Sequence, residues 1–268
     1  SLVGSEMCIR DRVMEYAIRS HIHLAIFSFV YILGLYNGSE YSPYYALMFA
    51  FGILSMYNFH RLWKLRSGDL PVVILNWLGA NKSSVIFLSI ISLILAGFLY
   101  ARYFAQNYLI HLLCAICVII CILYVYRIRK YSLREIPYLK IFLVFGIWYF
   151  LIHVMPYLLF NSFVSPVEGS ILLFAILIPS DMKDIDYDPG EMKTIPQLIG
   201  MNNSLKLMRF LSILGICYVV IIQKNASLPW IISFIYMFLL TFFHSRINKD
   251  HYFVWVDACF LIVGGALF

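Results

Sequence analysis

Apolar residues gather along this chain into nine runs separated by polar stretches. The runs are Ser20–Tyr36, Tyr44–Tyr57, Ser83–Tyr100, Tyr108–Tyr126, Ile141–Leu159, Gly169–Pro179, Leu205–Ile222, Pro229–Phe243 and Tyr252–Phe268. They are too long and too uniformly apolar for the alternating strands of a barrel, so each predicts a helix. A straight span needs ~20 residues, and several runs fall short of that. Their helices are therefore expected to extend into the flanking polar segments. The pattern predicts an all-α, polytopic membrane bundle of about nine transmembrane helices.

The polar intervals sharpen the topology. The three largest follow the second, fourth and sixth runs. Basic residues concentrate in the even-numbered intervals. These hold Arg61, Lys64, Arg66 and Lys82, then Arg127, Arg129, Lys130, Arg134 and Lys140, then Lys183, Lys193, Lys206 and Arg209, and finally Arg246 and Lys249. The odd-numbered intervals hold Arg102 and Lys224 alone. The positive-inside rule places the even loops and the N-terminal side in the cytoplasm, as in a bacterial inner membrane. Tyr57, Trp63, Tyr100, Tyr126, Trp230 and Tyr252, near run ends, fit interfacial aromatic belts.

Composition agrees. The chain is 62% hydrophobic and 13% charged, with mean hydropathy +0.84. A soluble domain carries about twice that charge fraction. The formal net charge of +6 is a topology signal, and nothing in its distribution points to a nucleic-acid partner. Most of the six Cys lie inside apolar runs and do not read as a disulfide framework. Residues 1–12, SLVGSEMCIRDR, resemble a translated sequencing adapter, since Met7–Asp11 back-translates to ATG TGT ATA AGA GAC. They are set apart as an artefact, and residues 13–268 are read as the transmembrane domain.

The strongest chemical signal is the segment Asp181–Gly200, DMKDIDYDPGEMKTIPQLIG. Of 14 acidic residues in the chain, Asp181, Asp184, Asp186 and Asp188 fall within eight positions. Asp181, Asp184 and Asp188 share the i, i+3, i+7 spacing of one helix face. Three carboxylates on one face repel each other unless a cation joins them. Oxygen ligands of this kind suit Mg²⁺, which commonly shares its remaining sites with substrate phosphates. The bland alternative is a solvated acidic loop.

DxxDxxxD followed by KTIPQLIG resembles the second Asp-rich motif of the UbiA superfamily of intramembrane prenyltransferases. The resemblance implies a nine-helix fold with cytoplasmic polar loops. It also implies Mg²⁺-dependent transfer of a prenyl group from an isoprenyl diphosphate donor to a hydrophobic, aromatic or other lipid-phase acceptor, with release of pyrophosphate. Asp181, Asp184 and Asp188 would be the catalytic Mg²⁺–diphosphate carboxylates, with Lys193 near the same phosphates. Arg134, Pro137 and Lys140, in the loop YVYRIRKYSLREIPYLK after the fourth run, resemble the family's basic loop facing the diphosphate. Arg suits bidentate phosphate recognition, though a basic loop also anchors topology and binds anionic lipid.

At the end of the second run, MYNFHRLWKLR, the family carries a first Asp-rich motif. Here Asn58 matches its opening Asn, but Phe59, Leu62 and Arg66 stand where the three Asp would be. Two readings stay open. Arg61, Lys64 and neighbouring cations replace one Mg²⁺ as the diphosphate clamp, with Asn58 helping the metal shell. Alternatively, the chain is a non-catalytic relative that binds an isoprenoid or diphosphate lipid. A transporter is argued against by the absence of paired broken helices carrying midplane charge. His111, Cys114, Cys117 and Cys121 form a stripe on the fourth run, read as packing rather than a metal site. His153 reads as structural, beside a kink at Pro156. Asp257, inside the last run, either pairs with a buried polar group or lies near an interface.

Overall fold

The computed structural model describes all but residues 1, 68–69, 106–107, 128–131, 162–163, 186–191, 223–227, 248 and 268, and the side chains of 2–10, 67 and 249–251 also lie outside the description. The described residues are all-helical. In order they form α1 (Leu2–Arg19), α2 (Ile22–Leu35), α3 (Ser42–Ser67), α4 (Val72–Tyr103) and α5 (Tyr108–Val125). After a 3₁₀ turn at Leu133–Glu135 come α6 (Leu139–Tyr149), a π-turn (Phe150–Val154) and α7 (Met155–Phe160). The chain continues with α8 (Pro166–Asp184), α9 (Ile195–Ile199), α10 (Met201–Ile221), α11 (Leu228–Phe243) and α12 (Lys249–Ala266).

Each of the nine apolar runs coincides with a helix, α6, the π-turn and α7 counting as one. Four helices are long and apolar enough to cross a membrane: α4, α5, Leu139–Phe160 and α10. A fifth arises if α1 and α2, bent by 69°, form one broken span. Helix α11 and the stretch Tyr252–Ala266 are apolar but shorter. Among the described residues, length and composition thus give four or five candidate spans. Helix α4, at 32 residues, is roughly 48 Å long, well over a ~30 Å hydrocarbon core. Its first turns, with Asn76, Asn81 and Lys82, lie before the apolar run as the sequence defined it.

Two seams hold the bundle around its core. Helices α2 and α12 meet backbone to backbone. A Cβ on Gly34 would overlap the carbonyl oxygen of Gly264, and one on Gly264 would overlap that of Val30. Small residues permit this approach, and dispersion between close backbones replaces the hydrophobic drive that lipid cannot supply. Beside the seam, Trp148 of α6 stacks on Phe260 of α12, with ring centroids 5.6 Å apart and planes 3° from parallel.

The second seam surrounds the π-turn. One extra residue in a turn frees carbonyls from the helical ladder, which is costly away from water. Helices α2 and α3 supply the missing donors. Tyr36 donates its hydroxyl to the Ile152 carbonyl at 2.6 Å, and Tyr45 donates to the Leu151 carbonyl. Pro156, in the first turn of α7, has no N–H to give the Ile152 carbonyl four residues before it, so the irregularity at this proline takes the form of the π-turn that precedes it. His153 is buried there, and a Cβ on Gly169 of α8 would come within 2.8 Å of its ring, consistent with a packing role.

Asp257 finds its partner in His23, whose Nε2 lies 3.3 Å from the carboxylate. This ties α12 to the start of α2 a second time.

Substituting Gly264 by leucine should separate α2 from α12 and lower stability by at least about 2 kcal/mol, as overpacking against backbone does. Thermal unfolding of the detergent-purified chain checks this, with Gly265→Leu, where a Cβ meets nothing within 4 Å, as the near-neutral control.

Candidate functional site

Helix α6 begins at a tight corner. Tyr138 caps it in the left-handed region, φ 65°, and its N–H donates to the Met192 carbonyl at 3.0 Å. The corner places Lys140 in the first turn of α6 beside the last turn of α8. There the Lys140 Nζ lies 2.8 Å from Asp181 Oδ1 and 3.8 Å from Asp184 Oδ2. Lys140 and Asp181 are buried, 7% and 4% exposed. The i, i+3 spacing read from the sequence therefore does put Asp181 and Asp184 on one face, and the cation between them is an ammonium. Asp188, the third expected carboxylate, lies outside the described residues, as does Asp186.

Lys140 and Asp181 stand on the wall of a cavity of about 1480 Å³. Its body is apolar and aromatic, bounded by Phe49 and Ile53 of α3, Tyr100 of α4, Val118 of α5 and Trp148 of α6. Its other end is cationic. Arg61, Lys64 and Arg66 of α3 meet Arg127, Arg134, Lys140 and Lys183 there, against the carboxylates Glu135, Asp181 and Asp184. Among the described residues, seven basic and three acidic side chains line this end.

Local structure fixes several of these groups. Arg127 donates to Glu135 Oε1 through Nε at 3.1 Å and Nη2 at 2.7 Å. Glu135 Oε2 accepts the Ser132 N–H at 2.8 Å. This latch shapes the short 3₁₀ turn that carries Arg134, whose guanidinium lies 6.0 Å from the centroid of the Tyr124 ring. His60 sits at 2.8 Å from the Cys121 carbonyl, fastening the basic end of α3 to α5. Burial raises the Asp184 carboxyl pKa, but Lys140, then Lys64, Arg134 and Lys183, outweigh it and hold that carboxyl below its usual value. Cations from four elements therefore act on one carboxylate.

The remaining expected site residues separate. Asn58 does not line the cavity. It is fully buried, and its Nδ2 donates to the carbonyls of Ser20 at 2.9 Å and Leu54 at 2.8 Å. Asn58 thereby fastens α3 to the break between α1 and α2, and its Oδ1 has no hydrogen-bond partner among the described residues. Lys193 is on the far side of the Lys140–Asp181 pair. It takes the left-handed conformation, φ 50°, lies 5.4 Å from the Tyr138 ring centroid, and lines a smaller cavity of about 180 Å³ that shares Lys140, Asp181 and Met192 with the large one. The TIPQ that follows is a helix start: Thr194 caps α9, Pro196 occupies its first turn, and the Thr194 N–H donates to Gln197 Oε1 at 3.0 Å. The stripe His111, Cys114, Cys117 and Cys121 lines the large cavity. Tyr100 and His111 hydrogen-bond at 2.6 Å, and Cys114 lies 3.9 Å from Met155 Sδ.

His21 also lines the cavity and carried no signal in the sequence. It stands at the break between α1 and α2 with φ 60°, a conformation His tolerates better than most residues. Its ring lies 5.0 Å from that of Tyr57.

The Mg²⁺ implied by the resemblance would need carboxylate oxygens turned to a common point. Asp181 and Asp184 are turned to Lys140, and among the described residues no three His, Cys, Asp or Glu side chains form a metal-holding group. These residues do not by themselves fit the expected ion.

The described residues form an all-helical protein with four or five helices long and apolar enough to cross a membrane, and with a two-part cavity, apolar in its body and cationic at one end. No protein-family profile, no curated protein and no solved structure matches the chain.

Replacing Lys140 by methionine leaves the buried Asp181 carboxylate without its ammonium and should cost about 3–5 kcal/mol. The double variant Lys140→Met/Asp181→Leu should recover most of that loss, as read from melting temperatures of the purified variants. Asp184 gives a second test. Its lowered value means its charged form stabilises the fold above the usual Asp value of about 3.9, with that stability lost as pH falls through the lower folded-state value. Asp184→Asn should flatten the acid limb of the melting temperature against pH.

Proposed function

We propose that this protein binds an isoprenyl diphosphate in the large cavity and transfers its prenyl group to a hydrophobic acceptor drawn from the membrane, releasing pyrophosphate. The observation that carries the reading is the single cavity that joins an apolar, aromatic body to a cationic end. A prenyl diphosphate has that same division, and helices α4 and α5 present many exposed apolar residues outside the cavity, among them Phe87, Ile94 and Ile119, a surface suited to lipid. The resemblance to UbiA prenyltransferases supports the same reading, with the cationic end on the cytoplasmic side by the distribution of basic residues.

In this reading the prenyl chain lies along Phe49, Tyr100 and Trp148. The diphosphate lies against Arg61, Lys64, Arg134 and Lys140. The bond between prenyl C1 and the diphosphate oxygen breaks, its electron pair leaving with the diphosphate. Nearby cations stabilise the charge that builds there. A nucleophilic atom of the acceptor forms the new bond to C1, and the proton it loses is taken up by the departing diphosphate. Aromatic faces lining the cavity favour the positive charge that develops on the prenyl carbon. Mg²⁺ enters only as the ion the resemblance implies, and no step is assigned to it.

A second reading has its own support. Phe59, Leu62 and Arg66 stand where the first Asp-rich motif is expected, and Lys140 already neutralises Asp181. Both features suit a protein that holds a diphosphate lipid without transferring its chain.

Membranes containing the protein, supplied with Mg²⁺ and radiolabelled donors from geranyl to geranylgeranyl diphosphate, should release pyrophosphate and label an extractable lipid. Arg134→Ala should lower kcat/KM about a hundredfold, the scale of losing one charge-stabilising donor. No labelled product from the unaltered protein with any donor would overturn the transfer reading and leave the binding one.

A further inference from the structure

Residues that line the large cavity and are also exposed mark where it opens. Val73 and Tyr126 belong to its cationic end. A second set lies farther along the apolar body. Leu93 and Gly97 of α4 and Ala115 and Val118 of α5 all line the cavity, and all are exposed. Leu93 is 61% exposed and Val118 49%. A Cβ on Gly97 would meet nothing within 4 Å, so the space in front of it is empty. The four residues face one another across two consecutive helices. At one end Tyr100 and His111 close the gap with their hydrogen bond of 2.6 Å. Away from that bond α5 packs mainly on α3 and the 3₁₀ turn, and His60 holds the Cys121 carbonyl at 2.8 Å. From Tyr100 to Leu93, and from His111 to Val118, is ~10 Å of helix axis. Measured from Val125 at the cationic end, the gap lies from ~10 to ~20 Å along α5.

Both helices are long and apolar enough to cross a membrane, so hydrocarbon lies outside the gap. Its rim is apolar apart from the Tyr100–His111 pair, which is engaged with itself. Lipid tails are as apolar as such a rim, so a hydrocarbon chain crosses from cavity to bilayer at little cost, while a charged headgroup does not. We infer that the gap between α4 and α5 is a side passage through which the far part of an isoprenyl chain leaves the cavity and lies in the membrane. The diphosphate stays at the cationic end, the first isoprene units fill the body along Phe49 and Trp148, and the remainder passes between Gly97 and Ala115. The cavity then sets no upper limit on chain length. The small side chains at Gly97 and Ala115 keep the passage open, and they are the specificity-determining positions.

The identity of the chain rests on the proposed function, but the test reads binding and so separates the two. The full chain in lipid nanodiscs is titrated with radiolabelled geranyl diphosphate, whose chain is short, and with solanesyl diphosphate, whose chain is longer than the cavity. The unaltered protein should bind both, with Kd values within about tenfold of each other. Gly97→Phe/Ala115→Phe, which fills the passage from both sides, should weaken solanesyl diphosphate at least about tenfold and leave geranyl diphosphate within about threefold. Retained geranyl binding shows that the variant is folded. Ala115→Phe alone should give a smaller effect of the same kind and serves if the double variant does not fold. Gly146→Phe, on α6 and off the cavity wall, should change neither ligand. Equal weakening of both ligands, no change in either, or failure of the unaltered protein to bind solanesyl diphosphate would each overturn the inference. So would displacement of solanesyl diphosphate by an equal concentration of phosphatidic acid, which would assign the passage to acyl chains. Chain-selective loss of binding in a protein that transfers no prenyl group upholds the side passage and removes the transfer reading alone. Prenyl transfer with no chain-selective loss does the reverse.

Discussion

A buried ammonium between two carboxylates is the constraint on which the cavity depends. Lys140 and Asp181 come from helices that begin and end at the same level, and each would be expensive to bury alone. Their pairing sets how closely the first turn of α6 approaches the last turn of α8. It thereby decides where the corner at Tyr138 must meet Met192. The two cavities share this pair as a common wall. Removing it would merge them and also release Asp184 into the field of the remaining cations.

Elsewhere several polar groups of the apolar helices donate to carbonyl oxygens on a neighbouring helix. Tyr36 and Tyr45 serve the π-turn, Ser89 of α4 donates to the Ser55 carbonyl of α3 at 3.0 Å, and Ser233 of α11 donates to the Cys259 carbonyl of α12 at 3.3 Å. In hydrocarbon such bonds matter because the alternative partner, water, is absent. They also give direction to packing that apolar side chains alone would leave loosely specified. At the π-turn this supplies two donors from outside the irregular helix.

The positions of the helices were legible because an apolar run long enough to approach a bilayer thickness has few other folded forms. Their ends were not. Helix α3 runs through the whole basic stretch to Ser67 and α4 starts at Val72, since Lys, Arg, Leu and Trp impose no stop signal there. The juxtaposition of Asp181 and Asp184 was legible from spacing. Their partner was not, because spacing within one helix says nothing of what a second helix brings. The sequence marks Lys140 only as a basic residue suited to a phosphate contact, while its ion pair with Asp181 depends on the packing of α6 against α8. Asn58 shows the limit of motif matching: its amide is spent on the Ser20 and Leu54 carbonyls, a role that depends on the break at His21, for which the sequence has no mark. The partner of Asp257, His23, lies at the opposite end of the chain, where spacing cannot point to it, and the π-turn has only the nearby Pro156 as an outward trace.

The glycine contact between α2 and α12 bears on the order in which the protein is made. Its two halves lie far apart in the chain, so during synthesis α2 enters the membrane long before the helix it needs. Until α12 arrives, the face of α2 around Gly34 must be tolerated by lipid, which its apolar neighbours Val30 and Leu33 allow. The break at His21, which forms part of the cavity wall, is braced through His23 and Asp257 by that same late helix. The cavity is therefore among the last features to be completed. A ribosome that stalled just before α12 would leave most of the helices in place around an unfinished pocket.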